Sequence, residues 1–230
     1  MNDSLLKDNK QLHLEELRTE LRRTKKSNTL SVFFVNIRSM RKYFTELTTI
    51  LSSLPKKFDF IILNETCLTE NEEAAYGIGG YTSYSAPRDT NGGGLIIYAN
   101  NNLNHSIVKK LSHNGATYES LFIRVKLNTS TYTIGTVYRP PSTSVKSFNE
   151  EFKVKVLQKL NRNETVICGA FNLNLLGKST QQLRSFVTNL NSLNLNNVIK
   201  HPTRVTESTS TLIDQVWTSS HEIKLSSVLD

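Results

Sequence analysis

Several apolar runs in this chain end in a residue that can bind a metal ion or a phosphate. Asn36 closes Leu30-Ser-Val-Phe-Phe-Val-Asn36, and Glu65 follows Phe58-Asp-Phe-Ile-Ile-Leu63 after one intervening asparagine. Tyr138 closes Ile134-Gly-Thr-Val-Tyr138, Asn172 and Asn174 follow Val166-Ile-Cys-Gly-Ala-Phe171, and Asp214 lies in Thr211-Leu-Ile-Asp-Gln-Val-Trp217. Polar residues at the ends of buried strands are how a fold assembles a site from distant parts of a chain. Taken singly they are ordinary. A glutamate after a strand is usually a solvated loop residue, a strand tyrosine is usually half-buried packing, and an isolated aspartate is usually a cap or turn carboxylate, although the strand pattern around Asp214 disfavours that last reading.

The elements that must carry these residues follow from periodicity. β-Branched and aromatic runs predict strands at Leu30 to Asn36, Phe58 to Leu63, Gly94 to Tyr98, His105 to Lys110, Ser120 to Val125, Thr131 to Tyr138, Thr165 to Cys168 and Leu212 to Thr218. Helical spacing predicts helices at Met40 to Leu54, Phe148 to Leu160 and Leu183 to Leu193, with turns at Asn91-Gly-Gly-Gly94 and Arg139-Pro-Pro141. Strands in a meander interrupted by a few helices imply an α+β or layered sandwich fold and not a strict βαβ repeat. Ahead of them, residues 4 to 26 place Leu5, Leu14, Leu17 and Leu21 on a helical spacing among charged residues, without Gly or Pro. The expectation is an amphipathic helical extension, residues 1–28, outside a main domain of residues 29–230. Its leucines suit a coiled-coil seam, hence self-association, or docking on the domain. Its basic end, Arg22, Arg23, Lys25 and Lys26, suits the helix dipole better than it suits a phosphate.

Composition narrows the class. The 230 residues are 37% hydrophobic and 21% charged, which favours a globular protein over a disordered one. A formal charge of +8 points weakly toward a polyanionic partner. Cys67 and Cys168 share no metal-ligand spacing, which argues against a disulfide scaffold or zinc site and for buried thiols in a reducing compartment. The polar start lacks the apolar core of a signal peptide and no apolar run reaches spanning length, so a soluble intracellular protein, nuclear or cytoplasmic, is expected and no membrane partner. The five histidines, His13, His105, His113, His201 and His221, fall in no ligand spacing.

From about Leu30 onward the order and spacing of motifs resemble the endonuclease/exonuclease/phosphatase superfamily. The motifs are Asn36-Ile-Arg-Ser39, Glu65-Thr66 followed by Leu68, Gly92-Gly-Gly-Leu-Ile-Ile-Tyr98, Val137-Tyr-Arg-Pro-Pro141, Gly169-Ala-Phe-Asn172 and Ser210-Thr-Leu-Ile-Asp214. Each is weak alone; together they are specific. The Tyr-Arg-Pro-Pro and Thr-Leu-Ile-Asp forms look like the endonuclease domains of jockey-like non-LTR retrotransposons. The resemblance implies a DNase I-like four-layer α/β/β/α sandwich, two mixed β-sheets flanked by helices, that nicks double-stranded DNA with Mg²⁺ or Mn²⁺ as cofactor. It implies Glu65 and Asn36 as metal ligands, Tyr138 on the scissile phosphate, Asn172 orienting phosphate or water, and Asp214 holding a catalytic histidine. It places Thr206, Asn174, Arg38 and Arg139 against substrate, with Arg88 a further phosphate contact.

Two departures bear on activity. Relatives have Gly-Asp-Phe-Asn where this chain has Gly169-Ala170-Phe171-Asn172, so the carboxylate that positions or deprotonates the attacking water is replaced by a methyl group. Asn174 is an amide and has no useful basicity to replace it. Relatives also continue to a Ser-Asp-His element, whereas this sequence stops at Asp230, which leaves Asp214 with no ring to orient and a sheet edge expected to be unpaired. The expectation is an impaired nicking enzyme or, as the alternative, a pseudoenzyme that keeps metal or DNA binding.

Overall fold

The computed structural model describes residues 9–24, 29–87, 92–160, 164–220, 223 and 225–229. In chain order the first half contains β1 (Asn9–Leu12), α1 (Leu14–Arg23), β2 (Val32–Asn36), α2 (Met40–Ser53), β3 (Phe60–Asn64), β4 (Tyr81–Ala86), β5 (Leu95–Asn100), β6 (Asn104–Ile107) and β7 (His113–Asn114). The second half contains β8 (Glu119–Leu127), β9 (Ser130–Tyr138), α3 (Val145–Lys155), β10 (Glu164–Ala170), α4 (Gln181–Asn191), β11 (Asn196–Asn197), β12 (Arg204–Val205), β13 (Ser210–Thr211), β14 (Asp214–Thr218) and β15 (Ser226–Leu229).

Two mixed sheets make the body. One runs β2-β3-β5-β4, with β2 and β3 parallel and the rest antiparallel. The other runs β11-β14-β10-β9-β8-β6, with β7 also on β8, and its β9–β10 pair is parallel. The alternation of side chains along each strand sorts the apolar residues into three layers of core. Phe60 and Ile62 of β3 meet Leu121, Ile123 and Val125 of β8 between the sheets. Their neighbours Ile61 and Leu63 face Met40 and Leu47 of α2 on the outside of the first sheet. Phe122 of β8 and Trp217 of β14 face Phe148 and Phe152 of α3 and Phe186 of α4 on the outside of the second. The result is helix, sheet, sheet, helix: the α+β four-layer sandwich, DNase I-like, that the motifs imply. Val32–Asn36 is an edge strand, paired only with β3 among the described residues.

The predicted elements differ from the observed ones mainly at the amino-terminal end. Residues 9–12 form a strand, not helix, and it pairs in parallel with Ser226–Leu229. The helix is confined to Leu14–Arg23. Leu12 and Leu17 are buried with Leu54, and Leu14, Leu21 and Leu229 pack on them. Leu12, Leu14, Leu17 and Leu21 therefore dock on the domain, so removing this segment would uncover Leu54 and Leu229. A strand cannot be read there because Asn9–Leu12 has no alternation of its own; it exists through its partner. The predicted strand at His105 to Lys110 stops at Ile107 and gives way to one 3₁₀ turn over Lys109–Leu111. Leu5, Lys25, Lys26, Arg88, Asn91, His221 and Asp230 lie outside the described residues. Among the described residues no helix is long and apolar enough to cross a membrane.

Candidate active site

The strand ends named above meet at one rim of the sandwich. Asn36, Glu65, Tyr138, Asn172 and Asp214 all line a single cleft of about 1350 Å³, together with Arg38, Thr203 and Arg204. Residue 36 ends β2 and lies in register with Asn64 of β3, which puts Glu65 one step past that pair. The Asn36 amide nitrogen donates to Glu65 Oε1 at 2.7 Å. That bond turns the Asn36 carbonyl oxygen inward, where it is buried without a hydrogen-bond partner.

Four residues around this rim, Arg38, Glu65, Cys67 and Asn172, have left-handed backbone (φ 58°, 56°, 55° and 52°) although none is glycine. Such conformations persist only where the surroundings over-determine them, and they gather at functional sites. Here the surroundings are visible. The Thr66 and Cys67 amides donate to the carbonyls of Gly94 and Gly93. Gly94 has φ +86°, and a Cβ on it would come within 2.5 Å of the Thr66 hydroxyl, so the glycine run is what allows this close approach. Arg41 of α2 donates to the Cys67 carbonyl at 2.9 Å and to Glu72, tying the loop after Glu65 to the helix. Behind the loop, Asn64 is fully buried between the sheets; it donates to the Val137 carbonyl at 2.8 Å and accepts from the Thr136 hydroxyl. The sheet that carries Glu65 is thereby bonded to the strand that carries Tyr138.

Tyr138 closes β9, is 6% exposed, and stands in register with Ala170 on one side and Glu119 on the other. Glu119 is a fully buried carboxylate that accepts from the Gly94 amide at 2.7 Å. Ala170 in turn is the register partner of Asp214 across the antiparallel β10–β14 pair. The Asp214 amide donates to the Thr203 hydroxyl at 3.0 Å, and Asp214 Oδ1 is buried without a partner. Its carboxyl is pushed up from 3.8 to about 6, chiefly by burial; a hydrogen bond with Thr203 opposes the rise, the charge of Glu65 adds to it, and Arg38 and Arg204 oppose it.

The sign of that shift sets a pH dependence. In the window between the two values the folded protein holds a proton that the unfolded chain releases, so stability falls as the pH rises through it and the penalty persists above it. At about pH 7.5, without divalent metal, Asp214→Asn should therefore be the more stable protein by about 1 to 3 kcal/mol, while near pH 4 the two should melt alike. Equal melting at the higher pH would mean that the carboxylate is not held against its charge.

Three of the expected substrate contacts take other roles. Arg139 is 3% exposed, and its guanidinium donates to the carbonyls of Phe171 at 2.7 Å, Asn172 at 2.8 Å and Thr143. Each of its three nitrogens donates to backbone, so it clamps the turn after β10, and it does not line the cleft. Burial accordingly lowers its pKa from the ordinary arginine value. Asn174 Oδ1 accepts from the amides of Leu176 at 3.1 Å and Leu212 at 3.0 Å, which makes it a turn-forming residue outside the cleft. Thr206 is exposed at the tip of the β12–β13 hairpin and bonds Thr209, hydroxyl to hydroxyl, at 2.7 Å; Thr203, three residues earlier, is the threonine that reaches the cleft. Arg38 is exposed and lines the cleft. Asn172 also lines it, with its amide nitrogen donating to the Arg139 carbonyl at 2.7 Å. Asn64, Glu119 and Thr203 carry no motif of their own; Asn64 is signalled only as the polar end of an apolar run.

Comparison with known proteins places this arrangement. A family model described as Endonuclease-reverse transcriptase matches residues 132–229, somewhat under half of the chain. An endonuclease/exonuclease/phosphatase family protein from Bacteroides thetaiotaomicron has the same fold, with a TM-score of 0.60 at 15% identity over 83% of each chain. At this identity the likeness is one of fold. The endonuclease domain of TRAS1, a telomere-specific non-LTR retrotransposon, shares this fold with a TM-score of 0.64 at 14% identity, covering 82% of this chain and 84% of that one. A 3′ phosphatase from Neisseria, bound to a product DNA hairpin, gives 0.59 at 12% identity, covering 83% and 87%. No curated protein sequence matches the chain.

Proposed function

We propose that this chain is the DNA-nicking endonuclease domain of a jockey-like non-LTR retrotransposon, a Mg²⁺-dependent phosphodiesterase whose rate is impaired by alanine at position 170. The observation that carries the reading is the meeting of Asn36 and Glu65, 29 residues apart in sequence and 2.7 Å apart in space, at a rim shared with Tyr138, Asn172 and Asp214. The likeness to the TRAS1 endonuclease domain supports the retrotransposon branch.

The residues fit a hard divalent cation. Among the described residues no group of three or more His, Cys, Asp or Glu is placed to hold a metal; the donors here are instead a carboxylate and an amide oxygen, and the amide oxygen is a buried acceptor that no protein group satisfies. When bound, Mg²⁺ or Mn²⁺ would offset the charge that builds on the phosphate during in-line attack by water. Tyr138 would donate to a non-bridging phosphate oxygen, Asn172 would orient the phosphate, and Arg38, exposed at the mouth, would hold a neighbouring phosphate of double-stranded DNA. Such an enzyme works on DNA inside the cell, in the nucleus or on cytoplasmic DNA.

Ala170 also supports a second reading, a pseudoenzyme that keeps metal or DNA binding. The two separate on supercoiled plasmid with Mg²⁺. Nicking that falls by about 10²-fold or more in Glu65→Gln, the scale of losing a positioned electrostatic group, is the expected result for the enzyme. DNA retention on a gel without nicking is the result for the second reading. A chain that neither nicks nor binds DNA, or that hydrolyses only a small soluble phosphoester, would overturn both.

A further inference from the structure

We propose that Glu119 is a positioning residue for Glu65: its carboxylate reaches from β8 in the second sheet to the Gly94 amide just ahead of β5 in the first, and so fixes the backbone from which Glu65 enters the cleft. The inference rests on the reading of Glu65 as the metal-binding carboxylate and adds to it a residue that no sequence motif marks.

Glu119 opens β8 and is fully buried. Burying a carboxylate is costly unless hydrogen bonds hold it, so the bonds it makes identify its task. Its Oε2 accepts from the Gly94 amide at 2.7 Å, a charge-assisted bond that crosses between the sheets. Gly94 is itself buried, and without Glu119 its amide would lose its acceptor in the interior. From Gly94 the restraint passes directly to the loop after β3. The Gly94 carbonyl accepts from the Thr66 amide at 3.2 Å, and the Gly93 carbonyl accepts from the Cys67 amide at 2.9 Å. Glu65 and Cys67, on either side of Thr66, both have left-handed backbone, φ 56° and 55°, which residues other than glycine keep only under outside restraint. Asn64, just before Glu65, is bonded to the second sheet through the Val137 carbonyl, and Thr66, just after it, is bonded to that sheet through Gly94 and Glu119. Glu65 therefore lies between two ties that join the sheets. Asn36 orients its side chain, and Glu119 fixes the backbone beneath. Glu119 is also the register partner of Tyr138, and directly opposed residues of an antiparallel pair project to the same face, so one buried carboxylate links the strand of the phosphate-facing tyrosine to the loop of the metal-facing glutamate.

The test compares the parent with three variants. Glu119→Gln keeps an acceptor oxygen at the same reach, Glu119→Asp keeps the charge but falls one methylene short of Gly94, and Glu119→Ala loses both. Thermal melts check that each is folded, and Asp and Gln carry the comparison if the Ala variant is not. The first readout needs no metal: the rate at which iodoacetamide alkylates Cys67, whose half-buried thiol lies 3.5 Å from the Glu65 carbonyl, while Cys168 is fully buried and stays silent in folded protein. The second is Mn²⁺ affinity, from free Mn²⁺ followed by electron paramagnetic resonance. Alkylation should be about 10-fold faster in Glu119→Ala and Glu119→Asp, the opening that follows loss of a buried bond. Their Mn²⁺ affinity should fall about 10- to 100-fold, the loss seen on removing a group that orients a metal ligand, and Glu119→Gln should recover most of both. The Cys67 thiol is raised chiefly by burial, then by Glu65, with a smaller push from Glu119, so an effect of charge alone would speed alkylation in Gln and Ala alike and spare Asp. That pattern would overturn the proposal, as would variants that melt earlier but match the parent in both readouts. Mn²⁺ binding that all three variants keep would overturn the role of Glu119 and leave the metal reading standing, whereas a parent chain that binds no Mn²⁺ would overturn the metal reading itself.

Discussion

Replacing Ala170 with aspartate is expected to raise Mg²⁺-dependent plasmid nicking by about 10²- to 10⁴-fold, the usual worth of a positioned general base. The position is the right one for that work. It closes β10, stands in register with Tyr138 on β9 and Asp214 on β14, and is adjacent in the chain to the Phe171–Asn172 turn that Arg139 clamps. At present the side chain is a fully buried methyl group with no capacity to take a proton. A new carboxylate there would sit beside Asp214, and two like charges so close cannot both ionise easily, so the pair would share a proton near neutral pH and offer one acid and one base. The same crowding should make Ala170→Asp less stable than the parent above about pH 6 in the absence of metal, by the same proton linkage that governs Asp214. Nicking by the parent chain at the rate of Ala170→Asp would show that residue 170 does not limit the reaction.

Arg139→Ala is expected to cost about 3 to 5 kcal/mol of folding stability, because it leaves three carbonyls without their donor where each unmade buried bond costs about 1 to 3 kcal/mol and part of the loss is recovered by water. The three are Phe171, Asn172 and Thr143. The clamp is reciprocal: the Asn172 side chain donates to the Arg139 carbonyl and the Arg139 amide donates to the Ala170 carbonyl. Releasing it should also relax Asn172 from its left-handed backbone, so the site suffers beyond the loss of stability. Lysine carries the charge but not the planar fork, and Arg139→Lys should recover only part of the loss in a urea or thermal melt. An Arg139→Lys protein as stable as the parent would mean that the forked geometry is not what holds the turn.

The arginine also shows where sequence reasoning reaches its limit. Next to Tyr138 and before two prolines, it has the look of an exposed cation facing phosphate, yet it is turned inward because three backbone carbonyls of the 143 and 171–172 loops come to lie within its reach. Asn174 and Thr206 misled in the same way. Each is a residue type that suits substrate, and each is used instead to close a turn, through amides at 176 and 212 for the one and through Thr209 for the other. The amino-terminal segment was legible as amphipathic, but the surface its leucines cover, Leu54 and Leu229, lies far away in sequence.

By itself the sequence determined the layered sandwich and the five strand-end residues that meet at the rim. The alternation of apolar side chains decides which face of each strand is buried, and the end of a buried strand decides where the next polar residue emerges. Those are local properties and survive in a string of letters. The tertiary structure alone decided which polar groups are free to act. Whether Asn36 and Asp214 keep a bare oxygen, whether Arg139 spends its donors on backbone and whether Thr203 or Thr206 reaches the cleft all depend on hydrogen-bond partners supplied by chain that is distant in sequence, and a side chain whose partners are already satisfied has nothing left to offer a metal ion or a phosphate.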